Sequence, residues 1–169
     1  MTERAALRPG DTLSALYGAA AALARDERGD AEMLVAHLLD TEDVHGVLLA
    51  ASFATLERLE AAVCGAPAPW RADTRMFAGH LLELATATGL GSAQSVNAAA
   101  WRLDAVRLGD SAAASEAIAI SRKQFDDADL VAGAVAILSV MVAIAAARVG
   151  EPVPQSAQNL CLAALLAAG

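Results

Sequence analysis

Three histidines are the first residues of this sequence able to do chemistry, and two of them share a pattern. His37-Leu38-Leu39-Asp40 and His80-Leu81-Leu82-Glu83 each set an imidazole and a carboxylate three positions apart, neighbours on a helix surface. Such pairs supply metal ligands when facing helices add more, and di-iron bundles use Glu-x-x-His with further glutamates. This chain lacks that set, so neither a metal nor any other cofactor is expected. His80 falls on an apolar stripe with Phe77 and Leu84 and reads as a core histidine. His45 follows Glu42 and Asp43 in a first turn and reads as solvated.

The next cluster lies between Val96 and Leu108. Val96, Ala99, Ala100, Leu103 and Val106 form one helical stripe, and Asn97, Trp101, Asp104 and Leu108 a second, mixed one. A helix with two used faces lies between others or presents one face to a partner. If the protein holds a small molecule, the expected pocket is lined by His80, Trp101, Asp104 and Arg107. Trp70 and Arg71, beside the prolines Pro67 and Pro69, are the other aromatic-plus-arginine pair, types enriched at interfaces.

For catalysis the residues are missing. There is no glycine-rich phosphate loop, no Gly-x-Ser-x-Gly elbow, no Cys-x-x-Cys and no His-Glu-x-x-His. Asp126, Asp127 and Asp129 lack the alternating oxygens and closing glutamate of a calcium loop and read as charges favoured at a helix start. Cys64 and Cys161 stand far apart in apolar surroundings, so buried thiols are expected.

These residues must be positioned by helices. The chain is 56% hydrophobic but 4% aromatic, because alanine supplies much of the apolar content. Alanine is the best helix former and is poor in strands. No stretch keeps a period of two. A net charge of −8 with scattered arginines excludes the basic patch that nucleic-acid phosphates need. The uncharged run Leu130–Ala147 reaches the lower length of a membrane span, yet seven of its eighteen residues are alanine and no Trp or Tyr anchors it. It reads as a core helix surrounded on all sides. With Glu3, Arg4, Arg8, Pro9 and Gly10 at the start there is no apolar leader, and the expected compartment is the cytoplasm.

Caps and breakers divide the chain. Asp11, Asp30, Thr41, Asp73, Ser92, Asp110 and Asp126 or Asp127 read as N-caps; Gly29, Gly65, Gly89, Gly109 and Gly150 read as stops. The spacing predicts eight helices, about 12–28, 31–40, 42–63, 74–88, 93–108, 111–124, 128–149 and 155–168. The halves repeat one another. Leu16 to Asp30 parallels Val96 to Asp110, and Val44 to Thr55 parallels Val131 to Val142 with glycine and serine in register. Both long helices end in Gly-x-Pro-x-Pro, at Gly65 and Gly150. The expected architecture is all-α: a tail over 1–10, then two tandem four-helix units, 11–89 and 92–169, packed as one body in a pseudo-symmetric bundle or short solenoid. Gly46 and Gly133 are placed to let the two long helices approach closely.

The stretch AEMLVAHLLDTEDVHGVLLAASFATLERLEAAV, from Ala31 to Val63, resembles half of the duplicated helical N-terminal domain of Clp-type ATPases. The unit 92–169 carries no matching His-Leu-Leu pattern. LVAHL, from Leu34 to Leu38, is similar to a snippet of DinB-like metal-binding bundles, whose remaining histidines are absent here.

The function expected from these residues is a small non-enzymatic interaction or regulatory module that recognises a protein through helical surfaces. The other expectation is a small-molecule-binding protein or bundle enzyme with a pocket between the units. After Glu151 the chain carries no charge, and Leu162, Leu165 and Leu166 cluster on its last helix. An uncovered apolar patch of that kind marks an interface, so a homodimer using this helix is expected.

Overall fold

The computed structural model describes residues 9–41, 43–64, 74–107 and 109–168. Among these the chain forms eight α-helices and no strand: α1 (Pro9–Ala24), α2 (Arg28–Leu38), α3 (Val44–Cys64), α4 (Thr74–Ala87), α5 (Ala93–Arg107), α6 (Ser111–Gln124), α7 (Asp127–Val149) and α8 (Val153–Ala168). Each boundary lies within about one turn of its expected place.

α7 is the axis. Leu130 through Val142 are buried without interruption, and α7 touches every other helix. Its composition makes this arrangement necessary. A helix apolar on every face has no side to give to water, so it is stable only when enclosed. By length and composition it could cross a membrane, and 78% of its apolar window is buried inside the protein. Leu16, Tyr17, Leu38, Val96, Leu130, Ile137, Leu138 and Met141 fill the space around it. Each such side chain contributes roughly 1.5–3 kcal/mol by leaving water. α4 rests on α5 and α7, and α8 rests on α1, α3 and α7.

Two expected caps correct themselves in the structure. α1 ends at Ala24, before Gly29, and the reversal is made by Asp26 at φ 62°. The Asp26 and Glu27 amides bond back to Leu23 and Ala22, and Gly29 and Asp30 lie inside the first turn of α2. Aspartate tolerates the left-handed conformation better than most side chains, so the turn closes three residues early. Asp11 likewise sits inside the first turn of α1. The other hairpin follows expectation: Gly109 adopts φ 81°, and Asp110 caps α6 by accepting from the Ala113 amide at 2.9 Å. Gly150 ends α7 in the left-handed conformation.

Gly133 permits a close approach to α5. A Cβ there would lie 2.6 Å from the Ser95 carbonyl carbon and 2.7 Å from its oxygen. Gly46 has a different neighbour, the carboxylate of Asp43 folded over it.

Candidate functional site

The acidic residues at the start of α7 tie neighbouring helices together. Asp127 Oδ1 accepts from His45 Nε2 on α3 at 3.0 Å and from Arg122 Nε on α6 at 3.3 Å. The hydrogen bond from His45 is the main reason the Asp127 carboxyl is held below its ordinary value, with Arg122 adding to it. Asp129 accepts from the Ser92 amide at 2.7 Å, from Ser92 Oγ at 2.6 Å and from Ser95 Oγ at 3.3 Å. Ser92 Oγ in turn accepts from the Ser95 amide at 3.1 Å and so caps α5. Asp126 occupies the N-cap position of α7 without a side-chain cap bond. These charges sit at the favourable end of the helix dipole, as expected, and they also bind α3, α5 and α6 to one helix end.

His45 therefore corrects an expectation. It is buried, at 6% exposure, not solvated. Its first-turn position suggested water, but the start of α3 abuts the start of α7, and the imidazole is enclosed there. With Nε2 committed to Asp127, Nδ1 is buried and has no partner. Arg102, on α5, is 3% exposed, and its Nε is likewise buried and unpartnered. Burial pulls the Arg102 guanidinium below its ordinary value. Both residues line a cavity of about 10 Å³ between α3, α5 and α7, together with Ser52, Leu48, Leu103 and Ile137. Sequence reasoning missed Arg102.

A second feature is a groove of about 520 Å³ between α1 and α8. Gly10, Gly18, Ala21 and Ala157 leave space there because their side chains are small, and Leu162 and Leu165 border it. Ser14, Arg25 and Gln158 stand exposed around it, so it is open along its length. Tyr17 lies beneath. Its hydroxyl meets Thr55 Oγ1 at 2.8 Å, and Thr55 donates to the Ala51 carbonyl at 2.9 Å. The Tyr17 hydroxyl also donates to the Ala51 carbonyl at 3.2 Å, joining α1 to α3, and burial pushes the Tyr17 phenol up to about 12. Cys161 borders the groove as a free, half-buried thiol, less enclosed than expected. Burial pushes that thiol up as well. A third hollow of about 250 Å³, between α3, α7 and α8, is lined by Arg58, Arg148, Glu151 and Asn159.

Of the residues expected to line a ligand pocket, Trp101 and Asp104 border none of these three places. Trp101 is 55% exposed. Asp104 is half-buried and has a polar partner. The side chains of His80 and Arg107, and the whole of Trp70 and Arg71, lie outside the described residues. Leu162, Leu165 and Leu166 are all exposed on α8, Leu166 at 82%. His37 and Asp40 are exposed. Among the described residues no three His, Cys, Asp or Glu side chains gather at metal-binding distance. Compared with protein-family models, with curated proteins and with solved structures, the chain matches none of them.

Proposed function

We propose that this chain is a small, non-enzymatic helical interaction module of the cytoplasm. It recognises protein through the outer face of α8 and the adjoining α1–α8 groove, and the occupant is a second copy of the chain. One observation carries the reading: exposed Leu162, Leu165 and Leu166 stand beside an open groove floored by small residues. The same surface offers both a knob and a hole. A two-fold pair needs that property, because each patch must complement itself. Charge supports the choice of occupant. At −8, two copies repel unless they meet where neither is charged, and the segment from Pro152 to Gly169 has no charged residue.

The reading also takes the chain as two tandem, pseudo-symmetric four-helix units, 11–89 and 92–169. The exchanged positions of α4 and α8 support this, since each last helix rests on the first and third helices of the other unit.

Light scattering on the intact chain at tens of micromolar is expected to give twice 17.2 kDa. The variant Leu162→Glu/Leu166→Glu is expected to give the monomer with unchanged helicity. A monomeric mass for the unmodified chain overturns the proposal. A dimer that survives the variant moves the interface elsewhere.

The small-molecule reading has one point in its favour, the groove volume, which falls within the roughly 300–1,000 Å³ of ligand sites. Such sites also need converging polar groups. Here the Tyr17 hydroxyl is spent on Thr55, and Arg25 pairs with Glu27 at 3.0 Å. A saturable ligand-induced rise in melting temperature on a monomeric chain would select that reading instead.

A further inference from the structure

The α3–α5–α7 cavity holds an imbalance that the interaction surface does not use. Arg102 carries a full positive charge at 3% exposure, and among the described residues no carboxylate pairs with it. A buried guanidinium without a counter-charge is unfavourable, and native structures compensate such groups. The carboxylates at the starts of α3 and α7 have other partners. Asp127 is shared between His45 and Arg122, and Asp129 is committed to Ser92 and Ser95. Just before α3 the Asp43 carboxylate folds over Gly46. Beside Arg102 are a cavity of about 10 Å³, the buried Ser52 hydroxyl and the unpartnered Nδ1 of His45. That volume admits one water-sized particle.

We infer that this cavity is a binding site for one chloride-sized monoanion, held by the Arg102 guanidinium and the Ser52 hydroxyl. His45 Nδ1 borders the same space, with Nε2 committed to Asp127. Polyatomic anions such as sulfate exceed the space. The bound ion would lock α3, α5 and α7 at the end where Asp127 and Asp129 already join them.

Two measurements on the intact chain test this. In crystals soaked in sodium bromide, an anomalous peak is expected against Arg102 and Ser52. A map with only water there, or with nothing, overturns the assignment. In solution at constant ionic strength, replacing sodium gluconate by sodium chloride is expected to raise Tm by about 2–4 °C. The rise should vanish in Arg102→Met. Equal Tm in the two salts overturns the site. Should Arg102→Met fail to fold, the bromide map of the unmodified chain still decides.

Discussion

Replacing Gly133 by alanine tests how the core is assembled, because a helix interior ordinarily gains from that change. Alanine is favoured over glycine by about 1 kcal/mol there. At Gly133 the new Cβ meets Ser95 C at 2.6 Å and Ser95 O and Oγ at 2.7 Å. Carbon contacts are comfortable at roughly 3.5–4.0 Å, so about 1 Å of room is missing. Two of the three atoms are backbone, in the first turn of α5, and Asp129 holds that turn through Ser92 and Ser95. The strain cannot be relieved by rotating a side chain. Overpacking of this kind costs about 1–3 kcal/mol, here towards the upper end. After the propensity gain the net loss is about 1–2 kcal/mol, or roughly 2–8 °C in Tm for a chain of this size.

Circular dichroism melts of Gly133→Ala and Gly29→Ala make the comparison internal. Gly29 lies in the first turn of α2, and a Cβ there meets no atom within 4 Å. That variant is expected to melt at or up to about 3 °C above the unmodified protein. Ser95→Ala removes only the hydroxyl contact, so it is not expected to rescue Gly133→Ala. If Gly133→Ala melts at or above the unmodified protein, the close crossing of α7 over α5 is refuted.

Tyr17 is the sole tyrosine, so absorbance near 295 nm reads its ionisation alone, expected at about pH 12 against an ordinary 10. The folded state then holds the proton more tightly, and stability is full below pH 10 and falls as pH rises towards 12, by about 2–3 kcal/mol. Tyr17→Phe removes the bond to Thr55 and is expected to cost about 1 kcal/mol in urea unfolding. Asp127 has the opposite sign: its folded carboxyl lies below the ordinary 3.8, so its stabilising effect is present above that pH and is lost as pH falls through the folded value. Asp127→Asn is expected to flatten that acid limb in melts below about pH 4; an unchanged limb would show that the His45 contact has no energetic weight.

What was legible in the sequence was what depends on neighbours along the chain. Alanine content, the caps at Ser92 and Asp110 and the stop at Gly150 are local, and they placed eight helices to within about a turn. The errors arose at one local turn and where an interaction crosses the fold. Gly29 looked like a stop because glycine usually is one, but Asp26 took the left-handed position first. His45 looked solvated because its sequence neighbours are acidic, while its actual partner, Asp127, lies 82 residues away. Arg102 gave no warning, since a single arginine on an amphipathic helix ordinarily reaches water. Whether it does here is decided by α3 and α7, and nothing local reports on them.

The all-apolar character of α7 explains why polar groups crowd at one of its ends. Hydrophobic burial has no direction, so a helix buried on every side could slide or rotate among its neighbours at small cost. Register must come from contacts that tolerate no displacement. The first seven residues of α7 supply them: Asp127 to His45 and Arg122, Asp129 to Ser92 and Ser95, and Gly133 against the Ser95 backbone. At the other end Arg148 and Val149 are exposed, and Gly150 simply stops the helix. Amide exchange along α7 therefore discriminates between two ways of fixing it. Protection highest from Leu130 to Ala136 and declining towards Val149 fits a helix pinned at its start. Uniform protection to the last turn would mean that packing alone sets the register, and the clamps would lose the role given them here.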